Sequence, residues 1–312
     1  MGSGTEGAHT ASGGDIPTKS WPRYPRLVEH ELTEEQDVRP ATPAEAADVR
    51  AMHAATGAAW NEAAERYEGW LAEAVELISG GRSNLFPEEV ELLGDLHGHC
   101  RRAIHLQCAG GRDTLSLWRL GADEVIGVDL SPRMIDLAKR LTAATGAPAR
   151  WFVSDVLDTP AELDGTADLV YTGRGSLLWL QDLDAWATVV HRLLAPGGRL
   201  VLFEGHPFEW LVDGDEEGHW ELTEYDYFAG PEASRGWSPG FIDHLSIPDA
   251  EQHWKFSRAW TLGEVVTAVA GAGLRVERLV EYPRDWWSGH GDIAPDERGR
   301  LPLSFGLVAT RS

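Results

Sequence analysis

The run His105–Leu141 reads HLQCAGGRDTLSLWRLGADEVIGVDLSPRMIDLAKRL, and its reading decides the fold. Ala103-Ile104-His105-Leu106-Gln107 is a short apolar run, the length of a buried strand. Gly110-Gly111 then turns the chain into a helix from Asp113 to Leu120. Glu124–Asp129 is a second strand, and Ser131 caps a helix carried by Met134, Leu137, Ala138 and Leu141. Strand, tight turn, helix and strand in this order make a βαβ unit, which belongs to a parallel sheet covered on both faces.

The same alternation continues outward. Ala149–Ser154 and Asp168–Thr172 read as the third and fourth strands, and Leu183, Trp186, Val190 and Leu193 mark the next helix. Pro196-Gly197-Gly198 turns into a fifth strand, Arg199–Glu204. From His206 to Arg258 no clean period appears, and acids and aromatics dominate. A helix over Thr261–Gly271 and strands over Leu274–Tyr282 and Pro302–Thr310 close the chain. Toward the N-terminus, Trp60, Ala64, Tyr67, Leu71, Ala74 and Ile78 recur at helical steps until Gly80-Gly81. Pro87-Glu88-Glu89 opens another helix. The expected organisation is a flexible leader over 1–20, a helical cap over 21–99 and a catalytic domain over 100–312 with a lid over 206–258.

Composition narrows the function. The chain has 312 residues, 43% of them hydrophobic, enough for one large α/β core with an accessory region. Its formal charge of −23, without a Lys/Arg cluster, argues against a nucleic-acid partner. No apolar run approaches the roughly 20 residues that span a bilayer, so no membrane partner is expected. The 2 cysteines, Cys100 and Cys108, form no disulfide framework, which points to a reducing cytoplasm. His206, His219, His244 and His253 lack close ligand spacing, so no metal site is expected. Oligomeric state is not legible.

An open parallel sheet binds ligands beyond the carboxyl ends of its strands. Three segments lie there. Gln107, Ala109, Gly110 and Gly111 allow close backbone approach. Asp129, ending the second strand, can accept both hydroxyls of a ribose, with Leu130 and Met134 beside it. Asp155 can accept an exocyclic adenine amine, with Val156 against the base. Each signal alone is weak; in order at successive strand ends they form a strong set.

With these motifs, Ile104–Gly205 resembles the class I S-adenosylmethionine (SAM)-dependent methyltransferases. "HLQCAGGRDTLSLWRLGADEVIGVDLSPRMIDLAKRL" is similar to their first two motifs, and "WFVSDVLD" to the adenine-contacting segment. "DLVYTGRGSLLWL" resembles the fourth-strand motif, and "LLAPGGRLVLFE" the entry to strand five. The resemblance implies a doubly wound, seven-stranded, mostly parallel α/β sheet whose last strand inserts antiparallel beside the sixth. It also implies SAM as cofactor, with Gln107, Ala109 and Thr172-Gly173 at its methionine end. The first motif departs from the family: His105 stands where an acid is usual, and Gln107 and Ala109 where glycines are usual.

A sulfonium methyl needs an aligned acceptor, exclusion of water and often removal of a proton. The 14 tryptophans supply the acceptor expectation. Trp60, Tyr67, Trp179, Trp210 and Trp254 are expected to line a pocket for a small aromatic or heteroaromatic acceptor, an indole-type ring among the options. A non-aromatic amine or carboxylate acceptor is the first alternative, and a SAM-binding cyclase or pericyclase without methyl transfer the second. His206, directly after strand five, is the expected general base, with His253 and Glu204 behind it.

Overall fold

The computed structural model describes residues 37–312, except 215–217, 238–241, 243–244, 285–292, 295–296 and 298. The leader over 1–20, the first part of the cap, Phe241 and His244 lie outside the described residues. The cap holds β1 (Val38–Pro40), α1 (Pro43–Ala46), the 31-residue α2 (Val49–Ser79) and α3 (Pro87–Leu93). The catalytic sheet begins with β2 (Arg102–Leu106), α4 (Arg112–Arg119), β3 (Glu124–Asp129), α5 (Pro132–Thr145) and β4 (Ala149–Val153). It continues through β5 (Ala167–Gly173), α6 (Leu183–Leu193) and β6 (Leu194–Gly205). Four short strands follow: β7 (Val212–Gly214), β8 (Trp220–Leu222), β9 (Glu232–Ser234) and β10 (Lys255–Ser257). The chain ends with α7 (Leu262–Gly271), β11 (Leu274–Tyr282) and β12 (Ser304–Arg311).

Seven strands form the main sheet in the order β11-β12-β6-β5-β2-β3-β4. β12 runs antiparallel between β6 and β11, pairing Ser304 with Gly205 and with Tyr282. The expected insertion of the last strand is therefore observed. The five parallel strands carry apolar runs because helices cover the sheet. Alternation divides β5 cleanly. Val170 joins Ile104, Leu202, Trp186 of α6 and Val269 of α7 on one face. Leu169 and Tyr171 join Phe203, Ile78 of α2, Leu93 of α3 and Leu115 of α4 on the other. Trp186 is fully buried, and removing such a ring costs about 3–5 kcal/mol.

The helix starts follow the sequence signals. Ser131 Oγ accepts the Met134 N–H at 3.2 Å, and Thr261 and Glu264 close a reciprocal capping box on α7. α4 begins at Gly111, whose φ of 80° places it in the left-handed region.

The segment 206–258 departs from the expectation of irregular chain. β7 and β8 form a hairpin, and β9 sits between β1 and β10 in a three-stranded antiparallel sheet. Strands of three residues are too short to show a period of two, so the sequence hides them. This small sheet packs on α2: Phe256 of β10 buries against Met52, and its N–H donates to Thr56 Oγ1 at 3.0 Å. β1, β9 and β10 thus pack with α2 as one unit.

Gly111 tests the tightest part of this frame. An added Cβ would stand 2.8 Å from Ala138 Cβ and press on the Trp151 ring, at a φ that L side chains rarely adopt. Gly111→Ala is expected to lower unfolding free energy by about 1–3 kcal/mol in urea denaturation. A midpoint equal to wild type would contradict this packing.

Candidate active site

The carboxyl ends of the adjacent strands β2, β3 and β4 build the centre of the site. Gln107 (φ 58°) and Ala109 (φ 44°) both adopt left-handed backbone, although neither is glycine. That strain, of the order of 1–3 kcal/mol per residue, requires compensation. Asp129 provides part of it. Its Oδ2 accepts the Ala109 N–H at 2.8 Å, and its Oδ1 accepts the Ser131 N–H at 2.9 Å. One carboxylate therefore holds the turn after β2, the end of β3 and the start of α5. Burial pushes its pKa up to about 6, against the pull of these backbone donors. The Leu130 amide adds to the Ala109 and Ser131 donors. An ionised carboxylate has about four acceptor positions, so acceptor capacity remains for ligand hydroxyls.

Asp155 caps the turn after β4, its Oδ1 accepting the Leu157 N–H at 2.9 Å. Its Oδ2 meets His53 Nδ1 at 2.9 Å and Arg50 Nη1 at 2.9 Å, both from α2. Burial works against ionisation here, but the His53, Leu157 and Arg50 contacts outweigh it and hold the carboxyl below its usual pKa. The other ring nitrogen of His53, Nε2, accepts the Gln181 N–H at 3.1 Å. An accepting Nε2 leaves the proton on Nδ1, so neutral His53 donates to Asp155. His53 thus bridges the two lips of the cleft.

Gln107, Asp129, Leu130, Asp155, Val156 and Trp179 line that cleft together with His53 and Thr56. With α2 seated, only about 20 Å³ is open inside it. Outside α2, Arg50, Gly57, Asn61 and Asp158 line an open depression of about 500 Å³ that shares His53, Leu130 and Asp155 with the cleft. Gly57 allows this seating, since a Cβ there would come within 2.7 Å of Leu130 Cδ1.

The loop after β5 forms the opposite lip. Glu204 accepts N–H bonds from Gly175 at 2.7 Å, Ser176 at 2.7 Å and Leu177 at 2.9 Å. Arg174, left-handed at φ 44°, crosses to Asp113 of α4 and to the buried Glu89 of α3, which also receives Tyr171 OH. Asp113 follows the Gly110-Gly111 turn, so these charges tie the two loops together. His105 packs beside the group with Nδ1 2.8 Å from Thr114 Oγ1, and burial pushes its pKa down to about 4.

The expected residues divide accordingly. Gln107, Asp129, Leu130, Asp155 and Val156 meet at one cleft. Ala109 and Met134 lie against Trp60 and Tyr67 of α2, and Gly110 faces the Tyr67 ring. Thr172 is fully buried at the end of β5, with no partner for its hydroxyl. Trp60, Tyr67 and Trp179 come together with Trp237. Ring centroids stand 5.4 Å apart for Trp60–Trp179 and 5.0 Å for Trp60–Trp237.

Other expected residues are placed elsewhere. Trp210 is half-exposed beside Tyr225, and Trp254 is stacked under Arg39 and Arg235. Glu204 is not turned toward an acceptor, because its oxygens are taken by the loop amides. His253 lies at the surface, paired with Glu62. His206 lines neither opening: Nδ1 accepts the Phe208 N–H at 3.1 Å, and Nε2 stands 3.0 Å from Glu281. Burial lowers its pKa despite Glu281, and both nitrogens are engaged. His53, Arg50, Gln181 and Trp237 were not among the expected site residues. Arg50, His53 and Thr56 recur at three-residue steps, a polar stripe on an otherwise apolar helix face that was available as a signal.

The family comparison agrees with this geometry. Residues 103–198 match the methyltransferase domain family. A Thermus thermophilus demethylmenaquinone methyltransferase is 35% identical over 105 residues, covering 33% of this chain and 47% of that protein. A ubiquinone biosynthesis O-methyltransferase from Xanthomonas euvesicatoria pv. vesicatoria is 34% identical over 101 residues, 32% of this chain and 41% of that protein. The chain thus spans about half or less of the curated relatives it matches. Among solved structures, an S-adenosylmethionine-dependent methyltransferase from Mesorhizobium loti is 22% identical, with TM-score 0.52, over 72% of this chain and 96% of that one. One from Clostridium acetobutylicum is 13% identical, with TM-score 0.51, over 78% and 98%. The fold is that of the class I S-adenosylmethionine-dependent methyltransferases.

Asp129 gives this site a pH signature. A carboxyl raised from 3.8 to about 6 in the fold contributes stability that is full below its unfolded value and is lost as pH rises through about 6. Ligand hydroxyls need the ionised form. Affinity for S-adenosylhomocysteine (SAH) is expected to fall as pH drops through about 6 in wild type. In Asp129→Asn it is expected to be weak and flat; titration calorimetry from pH 5 to 8 checks both.

Proposed function

We propose that this chain transfers the methyl group of SAM to a small acceptor with a flat, conjugated ring. The observation that carries the reading is the succession of the Gln107–Gly111 turn, Asp129 and Asp155 at the ends of three adjacent strands. Asp129 offers its remaining acceptor capacity to the ribose hydroxyls. Asp155 offers its carboxylate to the adenine amine, with Leu130 and Val156 against the base. The left-handed Gln107 and Ala109 and the unpartnered buried atoms Gln107 Oε1 and Thr172 Oγ1 suit a polar tail at the methionine end. When bound, SAM supplies an electrophilic methyl on a sulfonium.

The residues of this chain do the rest. α2 draws back from Leu130 to admit a nucleoside, and His53 and Arg50 yield or share Asp155. Once α2 closes again, Thr56 and His53 exclude water from the ribose side. The acceptor lies against Trp60, Tyr67, Trp179 and Trp237. This cluster borders the cofactor cleft twice, through Trp179 in the cleft wall and through Trp60 and Tyr67 on Ala109. Indole faces favour flat rings by offset and edge contacts of about 0.5–1.5 kcal/mol each. One relative is named for demethylmenaquinone and the other for ubiquinone biosynthesis, and quinones are flat conjugated rings.

Calorimetry with SAM and SAH is expected to show micromolar binding by wild type and a loss of roughly tenfold or more in Asp129→Ala. Incubation with SAM and a panel of phenols, quinols and indoles is expected to release SAH. Trp237→Ala is expected to lower kcat/KM for the accepted ring by roughly tenfold while SAH affinity holds. Tight SAH binding without SAH release from any ring in the panel would overturn the conjugated-ring reading, and SAH release from non-aromatic amines or carboxylates would then separate that acceptor class from a SAM-binding cyclase.

A further inference from the structure

Gln107 stands where the family usually has glycine, and its side chain is held in one orientation. Its Nε2 donates to the Ser176 carbonyl oxygen at 2.7 Å. A carbonyl oxygen only accepts, so the flipped amide would set two oxygens against each other. Ser176 itself is fixed, because Glu204 takes the N–H groups of Gly175, Ser176 and Leu177. Gln107 Oε1 is therefore turned away from the loop, and it is buried without a hydrogen-bond donor. A buried acceptor in that condition is costly unless a ligand donates to it. Its residue lines the cleft beside Asp129 and Trp179.

We propose that Gln107 Oε1 accepts the α-ammonium of the cofactor's amino-acid tail, making a neutral amide the recognition group for that charge. The inference rests on the SAM reading above. The ligand's donors decide the assignment. The ribose hydroxyls belong to Asp129 and the adenine amine to Asp155. The tail carboxylate and the sulfonium have no N–H or O–H to give. Only the ammonium remains. The acids nearby are already bound, Asp113 to Arg174 and Asn84, and Glu204 to the loop amides. His105, at the position usually held by an acid, brings no negative charge.

The test compares two ligands by calorimetry: SAH, and SAH lacking its α-amine. Wild type is expected to prefer SAH by roughly tenfold or more. Gln107→Met is expected to lose that preference while binding 5′-methylthioadenosine, which has no tail, within about twofold of wild type. Gln107→Glu keeps acceptor oxygens at the position and is expected to retain the preference. An unchanged preference in Gln107→Met overturns the proposal. So does equal loss in Gln107→Met and Gln107→Glu, which would assign the effect to the Ser176 contact. A wild type that binds neither SAH nor 5′-methylthioadenosine overturns the cofactor reading itself, and this proposal with it.

Discussion

The carboxylate of Asp129 between the Ala109 and Ser131 amides is the contact on which the site depends. It is buried and anionic at neutral pH, so it is tolerable only with donors on both oxygens. The chain meets that demand by bending Ala109 into left-handed backbone, where its N–H reaches across from β2. The same arrangement starts α5. Ser131, held by Asp129, gives its hydroxyl proton to Asn61 Oδ1, and Arg133 donates to the same oxygen. Asn61 belongs to α2, so the cover of the cleft is located by the group at its floor.

The parallel part of the sheet was legible in the sequence because its strands carry apolar runs between turn residues. The signals at Gly111, Ser131 and Thr261 are local, and they were readable for the same reason. Asp129 and Asp155 could be singled out because strand ends of an open parallel sheet are where ligands bind, whatever the rest of the chain does. Aromatic partners were less legible. Trp60, Tyr67 and Trp179 were chosen by their place on a helix face or after a strand, and they cluster. Trp210 and Trp254 were chosen for lying in the aromatic segment after the fifth strand, and they do not. Trp237 looked no different from them, since its place is set by a contact 177 positions distant from Trp60 in a segment without period. Glu204 and His206 illustrate the converse. Position after β6 was correctly read, but a side chain's position does not reveal that its lone pairs are already taken.

Buried charge is concentrated behind the two lips of the cleft. Glu89, Asp113 and Arg174 brace the loop after β5 against the turn after β2, and neutral His105 fills the space between. Under the aromatic cluster, Lys255 donates to Gly236 O and stands 4.4 Å above the Trp237 ring. Burial lowers its pKa to about 8, although Asp249 and Glu62 oppose the shift. Such contacts contribute less to net stability than the apolar core does. They fix where a loop or a ring stands, which matters more for a site than a small gain in folding free energy.

α2 carries Arg50 and His53 near its start, Trp60 and Tyr67 about two and four turns after His53, and Leu77 and Ile78 in the core beneath the sheet. At 31 residues it is a rod about 46 Å long, buried at intervals from Met52 to Ile78. One rigid element therefore serves the Asp155 side, the aromatic cluster and the core beneath the sheet. A substitution that displaces it at any one of the three disturbs the other two, so its packing residues are as much a part of the site as the side chains that line the cleft.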